Sequence, residues 1–206
     1  MYIEGVRVPQ SSTPFEKGKK IHALANYYLQ EINISRIETA LSPAEKDLWN
    51  LLLENPFYRK KCLKSEFQLS CKLNRHEKVN DADIYLENCS VWIGGRMDAV
   101  VHDGGEYYIL DYKTGSIPKN PEYDYQTMIY LLCMDRYLKQ YDSLSFVYIN
   151  LKDKQNYVIK FNEQIKLKYE QQIVEICDRI IKDTLYIPNH NNCKFCEFAK
   201  ICTERE

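Results

Sequence analysis

The hydrophobic pattern of this chain switches between two periods, and the switches mark out its elements. From Ser90 to Val101 the residues are mostly apolar and β-branched; His102-Asp103-Gly104-Gly105 is a turn signal, and Tyr107-Tyr108-Ile109-Leu110 resumes a strand. This predicts a hairpin, with Asp98 in the first arm and Asp111 at the end of the second. Upstream, Thr13-Pro14-Phe15-Glu16 has the form of a capping box with proline at the first helical position, so a helix should begin near Pro14. Ile21, Leu24, Ala25, Tyr28, Leu29 and Ile32 follow at helical spacing and would face the core, with His22 beside the stripe. A second capping box, Ser42-Pro43-Ala44-Glu45, opens a helix carrying Leu48, Leu51, Leu52 and Leu53, which Asn55-Pro56 should stop.

Lys64 to Leu73 reads as a strand leading into a polar stretch, Asn74 to Asn88, expected to be a solvated loop. Its His76, Asp81, Asp83 and Glu87 have no regular ligand spacing. Beyond the hairpin, Thr114-Gly115-Ser116-Ile117-Pro118 predicts a loop and Glu122 to Gln140 a helix. Strands are expected at Ser143 to Leu151 and Asn156 to Phe161. Asn162 should cap a long helix with Ile165, Leu167, Tyr169, Ile173, Ile176 and Ile180 among its apolar positions. No internal repeat or low-complexity tract interrupts this order, which suits an α/β or α+β fold with a mixed central sheet flanked by helices.

A chain of 206 residues would bury roughly 70% of its unfolded surface and is most simply one domain. Its expected parts are a helical stretch over 14–56, a sheet and helix over 64–161, and a helix with a cysteine tail over 162–206. Hydrophobic residues at 45% and charged residues at 28% are the proportions of a soluble globular protein. No run of about 18 apolar residues and no signal-peptide pattern is present, so the expected location is the cytoplasm, or a host cytoplasm for a viral protein. The net charge of −1 excludes a global basic field. Cations do gather locally, at Lys17, Lys19 and Lys20 and at Arg59, Lys60, Lys61 and Lys64, and Lys119 and Tyr123 would add contacts to an anionic ligand.

The candidate chemistry lies in the hairpin. Pairing across its turn can bring Asp98 and Asp111 together, and Lys113, two residues beyond Asp111, shares that residue's face. Such a trio would also suit the solvated end of an ordinary strand. Phosphodiester hydrolysis, however, needs this set: carboxylates for a hard divalent cation that activates water, and a lysine for the anionic transition state.

Gly94-Gly95-Arg96-Met97-Asp98 followed by Asp111-Tyr112-Lys113-Thr114-Gly115 resembles the core of the PD-(D/E)XK nucleases in their RecB-like branch, which includes CRISPR-associated exonucleases and AddB-type nuclease domains. His22 looks like the first-helix histidine of that family's metal site. Gln126-Thr127-Met128-Ile129-Tyr130 resembles its Gln-x-x-x-Tyr motif, and Glu66 an accessory acidic residue of some members. The resemblance implies a restriction-endonuclease-like core. It also implies Mg2+ or Mn2+ held by His22, Asp98, Asp111 and the carbonyl of Tyr112, with Lys113 and Gln126 as catalytic groups and Tyr130, Lys19, Lys20 and Lys119 contacting DNA. The implied activity is hydrolysis of DNA, single-stranded or at free ends, exonucleolytic rather than endonucleolytic, in recombination or repair, CRISPR adaptation or viral DNA processing. The alternative is a DNA-binding or processing subunit of a larger assembly with little activity of its own; the expected protein partner is a second copy of the chain or a recombination or CRISPR-integration protein.

Eight cysteines divide into two groups. Cys62, Cys71, Cys89, Cys133 and Cys177 are scattered, as buried free thiols would be. Cys193, Cys196 and Cys202 have metal-ligand spacing and resemble the family's C-terminal iron–sulfur cysteines. No cysteine precedes His22 to serve as the family's fourth ligand, so His190 would complete a zinc site or Cys62 a [4Fe-4S] cluster.

Overall fold

The computed structural model describes residues 15–79, 82–182, 190–196 and 202; the side chains of 15–17, 75–79, 82–89, 192, 194 and 195 lie outside that description. Five strands form one sheet in chain order: β1 (Lys61–Val79), β2 (Ala82–Asp103), β3 (Glu106–Lys113), β4 (Ser143–Asn150) and β5 (Gln155–Lys160). All neighbours are antiparallel except β3 and β4. A parallel pair needs a crossover, and α4 (Tyr125–Tyr137) supplies it. The sheet is mixed, as the order of elements predicts.

Alternate strand residues feed two apolar layers. On one face Ile21, Leu24, Trp49, Leu52 and Tyr58 meet Ala99, Val101, Leu110, Tyr112, Val147 and Ile149. On the other, Met128, Leu131, Leu132, Tyr169 and Ile173 meet Phe67, Ile93, Met97, Val100, Ile109 and Phe146. Thus α1 (Phe15–Leu29) and α3 (Pro43–Leu53) cover one face, and α4 with α5 (Glu163–Lys182) the other. Each large side chain buried in these layers contributes about 1.5–3 kcal/mol.

Local signals fix several ends. The capping box of α3 is formed: Ser42 N–H donates to Glu45 Oε2 at 2.8 Å and Glu45 N–H to Ser42 Oγ at 3.4 Å. Asn162 Oδ1 accepts from Ile165 N–H at 2.9 Å at the start of α5. Gly104, at φ +62°, turns the β2–β3 hairpin. The expected box at Thr13-Pro14 lies outside the described residues.

Other expectations are corrected. Within the polar stretch Asn74 to Asn88, residues 74–79 and 82–88 are strand, not loop: β1 and β2 continue as a ribbon, pairing His76 with Tyr85 and Val79 with Ala82. Cross-strand backbone bonding needs no apolar period, so polar composition hid it. Tyr28, Ile32, Leu167 and Ile180 are exposed rather than core. α1 ends at Leu29, which strands Ile32 beyond it; on α5 Tyr169 and Ile173 are buried, Leu167 lies off their stripe, and Ile180 lies near the helix's C-terminal end. A short helix, α2 (Ser35–Thr39), has no apolar signature. The helix expected from Glu122 begins as a 3-10 turn, Pro121–Tyr123, before α4. Among the described residues no helix is long and apolar enough to cross a membrane.

Candidate active site

The site lies where two strands part. β2 and β3 pair from Asp103 opposite Glu106 to Ala99 opposite Leu110, and there the pairing ends. The next residue on each strand is an aspartate, Asp98 and Asp111. Tyr112 N–H, left without a β2 carbonyl by the parting, donates to Asp98 Oδ2 at 2.9 Å. The fork thus replaces a backbone bond with a carboxylate.

Helices enter the fork from opposite faces of the sheet. From α1, His22 Nε2–H donates to Tyr112 O at 2.8 Å, and Nδ1 lies 3.1 Å from Asp98 Oδ1. From α4, Gln126 Nε2–H donates to Asp111 Oδ1 at 2.6 Å. Lys113 Nζ stands 2.8 Å from Asp111 Oδ2, the same-face placement that two-residue spacing predicts. That oxygen is buried without a well-directed hydrogen bond, so the lysine meets it as an ion pair off the bonding direction.

The electrostatics favour an added cation. Asp111 is 3% exposed; burial, then the Asp98 charge, push its carboxyl above the usual range against the pull of Lys113 and His22. A carbonyl only accepts hydrogen bonds, so His22 Nε2 donates to Tyr112 O, and a protonated ring would also donate from Nδ1 to Asp98 Oδ1. Burial opposes that charge. The Asp98 hydrogen bond, the charges of Asp98 and Asp111, and the Tyr112 carbonyl outweigh it and raise the His22 pKa.

Among the described residues no three His, Cys, Asp or Glu side chains stand as a formed metal shell. The donor chemistry nevertheless suits a hard divalent ion: two carboxylates, one carbonyl oxygen and one imidazole converge, and one carboxylate oxygen is buried with poor satisfaction.

A cleft of about 830 Å³ opens over the fork, lined by Gly18, Lys19 and His22 from α1, Glu66 from β1, Arg96 and Asp98 from β2, and Tyr112 to Gly115. Asp111 and Gln126 are not part of its lining. Of the expected DNA contacts, Lys19 lines the cleft, whereas Lys20 pairs with Glu45 at 3.0 Å and ties α1 to α3. Lys119 is exposed in the loop after β3, away from the lining. Tyr130 OH donates to Arg96 O at 2.6 Å, and its ring lies so close to Gly95 that a Cβ there would sit 2.4 Å from Tyr130 Cε1.

Glu66, at φ +47°, aims Oε2 at Arg96 Nε, 2.8 Å away. Arg96 is a cleft residue that the sequence reading does not single out. Its place beside Asp98 is set by the tertiary structure rather than by strand period, since Met97 and Ala99, two apart on β2, are buried in opposite layers.

In the tail, Cys196 N–H donates to Cys193 O at 3.3 Å beside the 3-10 turn His190–Phe195. No metal-holding group forms there among the described residues, with His190 or with Cys62. The iron–sulfur or zinc expectation therefore rests on the spacing of Cys193, Cys196 and Cys202 alone. Cys71 and Cys133 are buried thiols with Sγ atoms 3.6 Å apart, Cys62 and Cys177 are half-buried, and the Cys89 side chain lies outside the described residues.

A sequence profile described as the PD-(D/E)XK nuclease superfamily matches residues 1–203. Over 132 residues, 54% of this chain, the sequence is 25% identical to the RecBCD enzyme subunit RecB of Haemophilus influenzae, a match that spans only 11% of that protein's length. Among solved structures, SSO0001 covers 92% of this chain and 85% of its own at 20% identity, with a TM-score of 0.40. A candidate exonuclease from Eubacterium rectale covers 93% and 82% at 9% identity, with a TM-score of 0.49. The mixed five-stranded sheet with helices on both faces is consistent with a restriction-endonuclease-like core. With the profile spanning nearly the whole sequence, the chain belongs to the PD-(D/E)XK nuclease superfamily, in its RecB-like branch.

Proposed function

We propose that this chain is a metal-dependent deoxyribonuclease that hydrolyses phosphodiester bonds of DNA, preferentially single strands or free ends, as an exonuclease. The observation that carries the reading is the fork: Asp98 and Asp111 stand at the divergence of β2 and β3, with Lys113, His22 and the Tyr112 carbonyl converging on them.

Asp98, Asp111, the Tyr112 carbonyl and a neutral His22 would hold Mg2+ or Mn2+. Such an ion, when bound, supplies a water of lowered pKa and neutralises phosphate charge. Gln126 holds Asp111 by one oxygen and leaves the other facing Lys113. Lys113 orients the attacking water and donates to the phosphate as charge accumulates on its oxygens. In the balanced step, the water oxygen bonds to phosphorus, the bond from phosphorus to one sugar oxygen breaks, water loses a proton and the leaving oxygen gains one. Lys19 and Arg96, on the cleft wall, bind the flanking phosphates.

The RecB relative is named as a subunit of an enzyme, which favours a second reading in which this chain works inside an assembly. Cleavage of end-labelled single- and double-stranded DNA, linear and circular, with Mg2+, Mn2+ or EDTA separates the two. Metal-dependent loss of linear DNA by wild type but not Asp111→Ala, with circles spared, is the expected result. Folded protein that leaves every substrate intact would refute an autonomous nuclease.

A further inference from the structure

The cleft does not end at Asp98. Along β2 the residues Trp92, Gly94 and Arg96 alternate onto one face, because successive strand residues point to opposite sides, and Arg96 lines the same cleft as Asp98. Their cross-strand partners on β1 are Lys72 for Trp92, Ser70 for Gly94 and Gln68 for Arg96. The residues between them, Ile93, Met97, Phe67 and Cys71, are buried in the α4 layer. The face carrying Trp92 and Arg96 is therefore the outer one, and Trp92, Gly94, Arg96, Gln68, Ser70 and Lys72 are all exposed on it.

Trp92 is 72% exposed, more than any other large apolar side chain among the described residues. It supports no core. It stands six residues along β2 from Asp98, roughly 20 Å at strand rise, a distance spanned by about six stacked nucleotides. Between Trp92 and the catalytic end, Gly94 opposite Ser70 makes a low rung, and Arg96 follows, its guanidinium held out by Glu66. Lys72 is the cross-strand neighbour of Trp92 on β1. Cation, open aromatic face, shallow polar saddle and a second cation make a sequence of groups suited to a phosphate backbone with unpaired bases. A duplex keeps its base faces stacked inside and offers the indole nothing to stack on.

We infer that the outer face of the β1–β2 ribbon, from Trp92 and Lys72 to Arg96, is a track for single-stranded DNA leading to the active site. Trp92 stacks on a base about 20 Å from Asp98, and Lys72 and Arg96 bind phosphates. The assignment rests on the nuclease reading for its direction, since the track ends at the proposed centre. Continuity with the cleft and the paired cations select nucleic acid over a protein partner as its occupant.

The chain has two tryptophans, and Trp49 is buried at 2% exposure, so quenching of tryptophan emission by a ligand reports Trp92. The test titrates the full chain, in EDTA so that nothing is cut, with oligo(dT), with a duplex of matched length and with oligo(U). Oligo(dT) is expected to quench the emission and the duplex to leave it unchanged. Trp92→Ala is expected to weaken oligo(dT) binding about 5- to 150-fold, the range for loss of one stacked base, with Trp92→Phe retaining most of the affinity. Lys72→Ala is expected to weaken binding and flatten its salt dependence.

Absence of quenching, or Trp92→Ala binding as tightly as wild type, overturns the track. So does quenching by oligo(U) alone, or a change of oligomeric mass in Trp92→Ala with DNA binding intact, which would make the indole a contact between copies. Cleavage with Mn2+ is measured in parallel. Quenching without cleavage sinks the nuclease reading and leaves the track, while cleavage without quenching does the reverse.

Discussion

Gln126→Ala removes the one α4 group that holds Asp111, and its effect can be sized from the site. Gln126 Nε2 lies 2.6 Å from Asp111 Oδ1, and Asp111 is 3% exposed, so water has little room to replace the lost donor. A hydrogen bond to a charged acceptor is worth roughly 1.5–3 kcal/mol, or about 10- to 150-fold in an equilibrium constant. This overlaps the roughly 10- to 100-fold loss typical when the support of a metal ligand is removed. Gln126 does not line the cleft, so the loss should fall on metal affinity rather than on DNA. Initial rates of oligonucleotide cleavage over a Mn2+ titration, with Mn2+ binding measured directly without DNA, are the assay. The Mn2+ half-saturation should rise about 10- to 100-fold, with kcat at saturating Mn2+ and KM for DNA within about threefold of wild type. A kcat lowered a hundredfold with unchanged Mn2+ affinity would place Gln126 at the reacting atoms and refute the reasoning.

Lys113→Ala should show the opposite split: kcat down roughly 100- to 1,000-fold, the scale for losing one transition-state donor, with Mn2+ half-saturation little moved, as read in the same titration. Gly95→Ala drives a Cβ to 2.4 Å from Tyr130 Cε1, on a ring pinned by its 2.6 Å bond to Arg96 O. It should cost about 1–3 kcal/mol by urea unfolding, and unchanged stability would mean that the ring is free to move. The backbone and hydroxyl of Ser42, then Lys20, hold the Glu45 carboxyl at about 2. Because that pKa is depressed, the stability Glu45 contributes is full above its ordinary value of 4.5 and drains as pH falls toward 2. The unfolding midpoint of wild type should therefore drop more steeply than that of Glu45→Gln over this window, and parallel curves would show that the cap does not act through charge.

Much of this is legible in the chain itself, for identifiable reasons. The β2–β3 hairpin, the α3 capping box, the Asn162 cap and the placement of Lys113 with Asp111 follow from period, turn chemistry and two-residue spacing, all of which act within a few residues. The mixed sheet follows from the order of those elements, because a helix between β3 and β4 permits a parallel pair. The separation of β2 from β3 after Ala99 and Leu110 belongs to the tertiary structure, since no local signal marks where a ladder stops. So does the entry of His22 and Gln126 from opposite faces, which depends on contacts 76 and 15 residues apart in sequence. The polar ribbon after Leu73 carries no period because backbone bonding between its strands holds it, and Trp92 reads in sequence as one more apolar strand residue. Only the face on which it lands, opposite the layer that buries Ile93 and Met97, decides that it is open to a ligand. Sequence determined the elements and the chemical groups, because those are set by neighbours along the chain; tertiary packing decided which groups meet and which stay exposed, because those depend on where distant segments come to rest.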